Sequence, residues 1–168
     1  MNYFELFEIP VQLKLNPATL SKKFFELSRR YHPDYVATET DAVQQEALEQ
    51  SALLNRAWKT FHHPDLLIKY VLQEKGLLEE EEKYTLPSSF LMEVMDINEQ
   101  VMEMEDASAK PAITATIDQL SNDIYEPVKE IVEHYQEAVT TEKELLQVKE
   151  YYYKKKYLDR IREELDEK

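Results

Sequence analysis

The side chains that could do chemistry in this chain are four histidines and a large excess of carboxylates, and one arrangement of them stands out. His32 and Asp34 flank Pro33, so an imidazole and a carboxylate lie two positions apart. No glycine-rich phosphate loop and no nucleophile elbow accompanies them. The adjacent His62 and His63 have no third ligand at metal spacing, and they fit a helix end, where a cation complements the helix dipole. The sequence therefore predicts no catalytic residue, no metal site and no cofactor.

Pro33 determines the local structure of this triplet. A proline disfavours the α region for the residue before it, here His32, and it lacks a backbone donor, so a preceding helix should end at this point. His32 and Asp34 are then exposed on a turn, without apolar neighbours that would bury them. Loops on rigid scaffolds are where contacts with partners concentrate. The alternative is an ordinary proline turn, and the flanking residues decide between the two.

The residues before the turn predict an amphipathic helix. Four apolar residues recur at spacings of four, three and four, the pattern of one helix face: Leu20, Phe24, Leu27 and Tyr31. Asn16 is a good N-cap, and Pro17 suits the first helical turn. Four basic residues lie mostly off the apolar face and are expected in solvent: Lys22, Lys23, Arg29 and Arg30.

The charge of the chain is unevenly distributed. The formal net charge is −14, which argues against general nucleic-acid binding because that activity needs a cationic footprint. Residues 1–40 hold five basic and five acidic residues, so the excess acid lies further along the chain. The basic helix is either a solvated face or a surface that docks on an acidic groove of a partner. Its position beside His32-Pro33-Asp34 favours docking.

A second helix is expected after the turn, with one face formed by Ala47, Ser51, Leu54, Trp58 and Phe61. Two antiparallel helices joined by a turn bearing His32-Pro33-Asp34 resemble the J domain of DnaJ-type co-chaperones. The aromatic residues of segment 3–7 fit the first helix of that domain, and segment 53–58, LLNRAW, resembles its third. The resemblance implies that the turn and the basic helix bind a DnaK-class chaperone.

The resemblance extends beyond the J domain. The segments NYFELF (2–7), HP (63–64) and SFLME (89–93) are together similar to the HscB family, the J-proteins of iron–sulfur cluster assembly. The similarity covers essentially the whole chain. It implies a non-enzymatic co-chaperone that stimulates ATP hydrolysis by an HscA-like, DnaK-class chaperone and delivers an IscU-like scaffold protein to it. The chain has no cysteine, so it should hold no iron–sulfur cluster on its own thiolates, and it lacks the N-terminal cysteine site of some eukaryotic relatives.

Composition and helix breakers predict an all-α fold. The 168 residues contain one Gly and no alternating run long enough for a strand. We expect a J domain built on a helical hairpin over residues 1–75, a linker with a solvated acidic run over 76–87, and a client-binding three-helix bundle over 88–168. The expected helices are 2–8, 17–31, 41–61, 65–75, 88–106, 111–138 and 141–166. Gly76 should end the fourth helix, Ser88 should cap the fifth, and Pro127 should kink the sixth or cost it a hydrogen bond.

The first helix of the expected bundle carries two apolar stripes. One recurs at helical spacing and should face the bundle core: Phe90, Val94, Ile97, Val101 and Met104. The second is rotated by roughly 100–140° from the first: Leu91, Met95 and Met102. An apolar strip edged by carboxylates is typical of a binding surface, and methionine can repack against an irregular partner. The alternative is a helix buried on two sides, with Leu91 and Met95 inside the protein.

The HscB resemblance favours the binding surface, because in that family this helix contacts the scaffold protein. The matching positions are Leu91, Met92, Met95, Asp96, Glu99 and Glu103. The family's aromatic contribution from the last helix falls on Tyr157, where Phe is more usual, and the added hydroxyl weakens that correspondence.

No segment predicts export or insertion into a membrane. The N-terminus has no basic and apolar signal segment and no Arg-rich transit peptide, and no window approaches about 18 apolar residues. We therefore expect a cytoplasmic protein with no membrane and no nucleic-acid partner. Two alternatives stay open: a J-domain co-chaperone for another client, and a helical structural or regulatory module with an incidental His-Pro-Asp turn.

Overall fold

The computed structural model describes residues 1–168 and contains no β-strand, so the predicted all-α class is confirmed. The α-helices are α1 (Tyr3–Phe7), α2 (Pro17–Arg30), α3 (Asp41–His62), α4 (Pro64–Glu74), α5 (Ser88–Met102), α6 (Lys110–Tyr125), α7 (Lys129–Glu133) and α8 (Glu142–Asp166). Short 3₁₀ turns lie at Pro33–Val36, Ala107–Ala109 and Glu126–Val128. None of the helices combines the length and the hydropathy that crossing a membrane requires.

The chain divides into two compact units. Residues 1–71 and 136–138 form the first unit, and residues 72–135 and 139–168 form the second. Each unit is built around its own apolar core. The domain boundaries that the sequence indicates, after positions 75 and 87, stay predictions.

Phe61 of α3 is the centre of the aromatic core of the first unit. Its ring centroid lies 4.8 Å from that of Phe4 and 5.1 Å from that of Phe7, so α1 is held against α3. Tyr70 of α4 stacks on Tyr3 at 4.5 Å, and its hydroxyl accepts a hydrogen bond from the Tyr3 backbone N–H at 2.8 Å. A five-residue helix is not stable alone, so α1 depends on this packing.

α2 packs against α3 to form the helical hairpin of the first unit. The Asn16 side chain accepts two backbone N–H bonds from the first turn of α2, at 2.9 and 3.2 Å, so the predicted cap is confirmed. Leu20 and Leu27 are buried. Phe24 is half-buried with its ring 4.4 Å from that of Trp58, which confirms the predicted apolar face.

The second unit is a bundle in which α5, α6 and α8 pack against one another, with α7 as a short addition. α5 buries most of the stripe that the sequence predicts: Phe90, Val94, Ile97 and Val101. α8 begins with a capping box between Thr141 and Glu144. It buries three successive tyrosines, 151–153, and burial raises the pKa of Tyr153 to about 12. These tyrosines therefore belong to the core, and not to an exposed aromatic surface.

The predicted single helix over 111–138 is wrong, because the structure breaks it at Pro127. α6 ends at Tyr125, a 3₁₀ turn spans Glu126–Val128, and α7 ends at Glu133. Proline has no backbone N–H to donate, and the chain responds by tightening for one turn. The tighter turn shifts the buried face. Val132 is therefore buried in the place expected for Ile131, which stays half-exposed.

The predicted bounds of the first bundle helix are also corrected. α5 ends at Met102, not at 106, so Glu103 is its C-cap and Met104 lies beyond the helix. The Asp106 side chain accepts the backbone N–H of Ser108 at 2.8 Å, and this starts the 3₁₀ turn that leads into α6. Ser88 is the first helical residue and makes no capping bond, because the N-cap position falls on Pro87.

The acidic run after α4 is solvated at Glu79, Glu80 and Glu81, as expected, but its last residue, Glu82, is held by α8. Gly76, with a left-handed φ of +72°, ends α4 as predicted. The Glu82 carboxylate then lies 2.6 Å from the Lys149 ammonium, and this hydrogen bond holds the pKa of Glu82 below its usual range. Tyr84 stacks on Tyr153 with ring centroids 4.6 Å apart. We call Glu82, Tyr84, Lys149 and Tyr153 the connector clasp.

Candidate functional site

The His-Pro-Asp turn is exposed and is ordered by its own side chains. α2 ends at Arg30, and His32 has the extended conformation that a following proline requires, with φ −67° and ψ 136°. The His32 Nδ1 atom accepts the backbone N–H of Asp34 at 3.2 Å and lies 3.6 Å from the Asp34 Oδ2 atom. With Nδ1 accepting, the neutral ring carries its proton on Nε2, which is left as a donor for a partner. The sequence did not predict this capping bond.

The four cations of α2 divide into two pairs with different surroundings. The Nζ atom of Lys23 lies 3.6 Å from the Glu8 carboxylate, and the Arg30 guanidinium lies 3.7 Å from the same oxygen. Glu8 is the C-cap of α1, so this pair ties α1 to α2. Lys22 and Arg29 are exposed and make no ion pair. Of the four cations, Lys22 and Arg29 are therefore the two that make no ion pair within the protein.

Phe25 is a surface residue that the sequence interpretation missed. Its side chain is 64% exposed, although its neighbour Phe24 packs against α3. Lys22, Phe25 and Arg29 fall within a sector of about 60° on α2, because three and seven residues bring a helix back near the same direction. We call these three residues the basic face. The sequence signal that could have identified Phe25 is an aromatic residue that lies outside the apolar stripe of α2 and between two cations of that helix.

The exposed side of α5 combines methionines with carboxylates. Met92, Met95 and Met102 are 66%, 60% and 77% exposed, whereas Leu91 is half-buried. The alternative of a helix buried on two sides therefore fails for Met95. The carboxylates at positions 96, 99 and 103 are exposed beside them, and no basic residue occurs between Lys83 and Lys110. We call Met92, Met95, Asp96, Glu99, Met102 and Glu103 the acidic methionine face.

Tyr157 lies apart from the other predicted client residues, on α8. Its ring is 41% exposed, and the Arg160 guanidinium stands 5.8 Å from the ring centroid. No hydrogen bond and no ring contact joins Tyr157 to α5. The structure thus brings the six α5 positions into one continuous surface, and it places Tyr157 on the neighbouring helix that packs against α5.

The whole arrangement resembles proteins of one family. A family model described as the HSCB C-terminal oligomerisation domain matches residues 86–166. The solved structure of chaperone HscB from Vibrio cholerae is 26% identical, with a TM-score of 0.73, and the match covers 99% of this chain and 96% of that one. The chain is therefore similar to HscB chaperones over its whole length, and the family model matches its C-terminal part. The crystal structure of human co-chaperone HscB shares the fold at 24% identity, with a TM-score of 0.81 and coverage of 99% and 81%. These matches confirm the N-terminal J domain and the C-terminal helical domain.

The remaining titratable groups of the chain form no further cluster of chemical interest. No three His, Cys, Asp or Glu side chains converge in a geometry that could hold a metal ion. His62 stacks on Trp58, with ring centroids 5.3 Å apart, and His63 is the C-cap of α3, so this pair occupies the helix end that the sequence predicted. The two surfaces that stand out are the turn with its basic face and the acidic methionine face.

Proposed function

We propose that this chain is a J-type co-chaperone of iron–sulfur cluster assembly, which stimulates ATP hydrolysis by an HscA-like, DnaK-class chaperone and delivers an IscU-like scaffold protein to it. The observation that supports this most directly is the exposed His32–Asp34 pair next to a helix with two unpaired cations. The chain carries out no covalent chemistry, and it acts in the cytoplasm.

The chaperone is bound by the first unit. Lys22 and Arg29 steer the co-chaperone towards an acidic groove on the chaperone, because uncompensated exposed charges raise association rates and act over about 10 Å at 0.1 M salt. Phe25 supplies apolar contact between the two charges. His32 and Asp34 then contact the chaperone and trigger hydrolysis. Lys23 and Arg30 act indirectly, since both form ion pairs within the protein, Arg30 with Glu8 and Lys23 with Glu8 and Glu26.

The scaffold is bound by the second unit, through Leu91 and the acidic methionine face. Exposed methionines can adapt to an irregular apolar surface, and the three carboxylates beside them select a partner with cations at its rim. Tyr157 of α8 contributes a half-exposed ring. Because the two partners bind different units of one chain, the co-chaperone raises the local concentration of scaffold beside the chaperone.

The test is stimulation of the chaperone's single-turnover ATPase by the full-length chain. His32→Gln and Asp34→Asn should each lose the stimulation, and Thr38→Ala, an exposed change just after the same turn, should keep it. Circular dichroism should show wild-type helicity for all three variants, because the affected bonds lie in an exposed turn. Full stimulation by a folded Asp34→Asn variant would refute the proposed role of the turn.

A further inference from the structure

The sulfur atoms of this chain all belong to methionines, and none of those methionines lies in a core. The sequence contains five methionines and no cysteine. Methionine is among the residue types that proteins most often bury, yet every buried apolar side chain here is an aliphatic or aromatic one without sulfur. Met1 is exposed at the N-terminus, and the other four methionines lie within residues 92–104. Apart from Met1, the sulfur is therefore concentrated in one short segment outside the packed interior.

Three of these methionines share one side of α5. Met92, Met95 and Met102 fall within a sector of about 80° and over about 15 Å of the helix axis, because each residue turns a helix by about 100° and lengthens it by about 1.5 Å. Each of the three is at least 60% exposed, whereas Met104, which lies beyond the helix end, is half-buried. A small oxidant in solution therefore reaches these three side chains without any opening of the fold.

The carboxylates around the three methionines select the class of oxidant. Glu93, Asp96, Glu99 and Glu103 are exposed on α5 and at its end, and their field repels anionic oxidants such as hypochlorite. Hydrogen peroxide is uncharged at neutral pH and is not repelled. A lone pair of the thioether sulfur attacks one peroxide oxygen, the O–O bond breaks as the S–O bond forms, and the second oxygen leaves as water after a proton transfer. The sulfur is oxidised to the sulfoxide, and the peroxide is reduced to water.

We propose that Met92, Met95 and Met102 form an oxidation site, at which hydrogen peroxide reversibly weakens binding of the scaffold. This inference rests on the proposed function, because it assigns regulation to the scaffold-binding surface. A sulfoxide makes an apolar side chain polar, and a polar group buried in an interface without a hydrogen-bond partner lowers affinity. The fold is spared, because no methionine is buried, and Met1 is the only methionine of the first unit. An oxidised co-chaperone thus still stimulates the chaperone but no longer delivers the scaffold.

The first measurement needs no partner. The full-length chain is treated with hydrogen peroxide, freed of peroxide, and mapped by tandem mass spectrometry. Met92, Met95 and Met102 should each gain one oxygen atom before Met104 does, while helicity by circular dichroism and the melting temperature stay close to those of the untreated chain. Oxidation of Met104 as fast as that of the other three, or unfolding that accompanies their oxidation, would overturn the site.

The second measurement is the affinity of the treated chain for untreated scaffold, by isothermal titration. Oxidation should weaken binding at least about 10-fold, and methionine sulfoxide reductases should restore it. Stimulation of the chaperone's ATPase without scaffold should not change. Unchanged affinity after oxidation overturns the inference alone, and so does a loss that the reductases do not restore. Absence of binding by the untreated chain refutes the proposed function, and the regulation with it.

Two variants assign the effect to particular side chains. Met92→Leu with Met95→Leu and Met102→Leu removes the three sulfur atoms at nearly constant volume, and its affinity should be the same before and after peroxide. Each protein is compared with itself, so the result does not depend on the affinity of the untreated variant. The matched control, Met104→Leu, should lose affinity on treatment as wild type does. A triple variant that still responds to peroxide, or a Met104→Leu variant that does not, would place the oxidation effect elsewhere and overturn the inference.

Discussion

Truncating the apolar part of the client surface, Leu91→Ala, Met92→Ala and Met95→Ala together, should separate scaffold binding from folding. Met92 and Met95 are only about one-third to two-fifths buried. Full burial of such a side chain stabilises by about 1.5–3 kcal/mol, so each of these truncations should cost about 0.5–1 kcal/mol. Leu91 is half-buried and adds a similar amount. Alanine's higher helix propensity offsets a little of this cost.

The expected loss of folding stability is therefore about 1.5–3 kcal/mol, which lowers the melting temperature by roughly 3–12 °C in a chain of this size. Binding should suffer far more. Residues central to an interface each cost about 2 kcal/mol or more on truncation, and non-additivity leaves a combined loss of at least about 100-fold in affinity.

Isothermal titration measures the affinity for the scaffold protein, and thermal melting measures folding stability. ATPase stimulation by the same variant is a further readout. The matched control is Val139→Ala with Leu146→Ala, which truncates exposed apolar residues of the second unit outside α5. A triple variant that folds normally and binds the scaffold with wild-type affinity would refute the assignment of this face. Melting far below the expected range would show that these side chains belong to the core.

Two further predictions follow from the ion pairs. Reversing Lys22 and Arg29 to Glu should weaken chaperone docking measured by surface plasmon resonance at low salt, while reversing Lys23 and Arg30 should mainly lower the melting temperature, because Glu8 loses both of its partners. The division of the four cations into two pairs would be contradicted if both double variants lost the same docking affinity and neither changed its melting temperature. Ionised Glu82 should contribute stability above its unfolded pKa, near 4.5, and lose it as the pH falls through the depressed folded pKa. Melting of Glu82→Gln should consequently vary less with pH in this acidic range than melting of wild type.

Much of the architecture could be predicted from the sequence, because the relevant signals are local. The Asn16 cap, the left-handed Gly76 and the buried stripe of α5 each depend on a few neighbouring residues. The end of α5 could not be predicted in this way. The apolar period continues to Met104, and the competing signal is Asp106, which caps the next turn. Pro127 indicates a disruption of the helix, but only the structure shows that the disruption is a 3₁₀ turn. After this turn Val132, and not Ile131, is buried in the core.

The sequence predicts which residues lie on the candidate binding surfaces, but it does not predict which of them pair with other residues of the same protein. Composition indicates four cations on α2, but the distinction between Lys23 and Lys22 depends on Glu8, which lies fifteen positions before Lys23. The exposure of Phe25 was not predicted, because Phe24 precedes it directly and hydrophobic periodicity assigns only one of the two phenylalanines to the core. For the same reason Glu82, the last residue of the acidic run, was expected in solvent, because its partner Lys149 lies far along the chain.

The connector clasp fixes the path of residues 76–87 within the second unit. A free twelve-residue coil over 76–87 would have a root-mean-square span of roughly 20 Å and would explore many lengths. Here the Gly76 and Leu77 backbone N–H groups bond back to α4, Leu78 and Leu86 are buried, and Glu82 is held by Lys149. The span of this segment is thus a fixed dimension of the folded protein. Mutating the clasp would release this segment from α8, and it would then sample a range of end-to-end lengths in place of one.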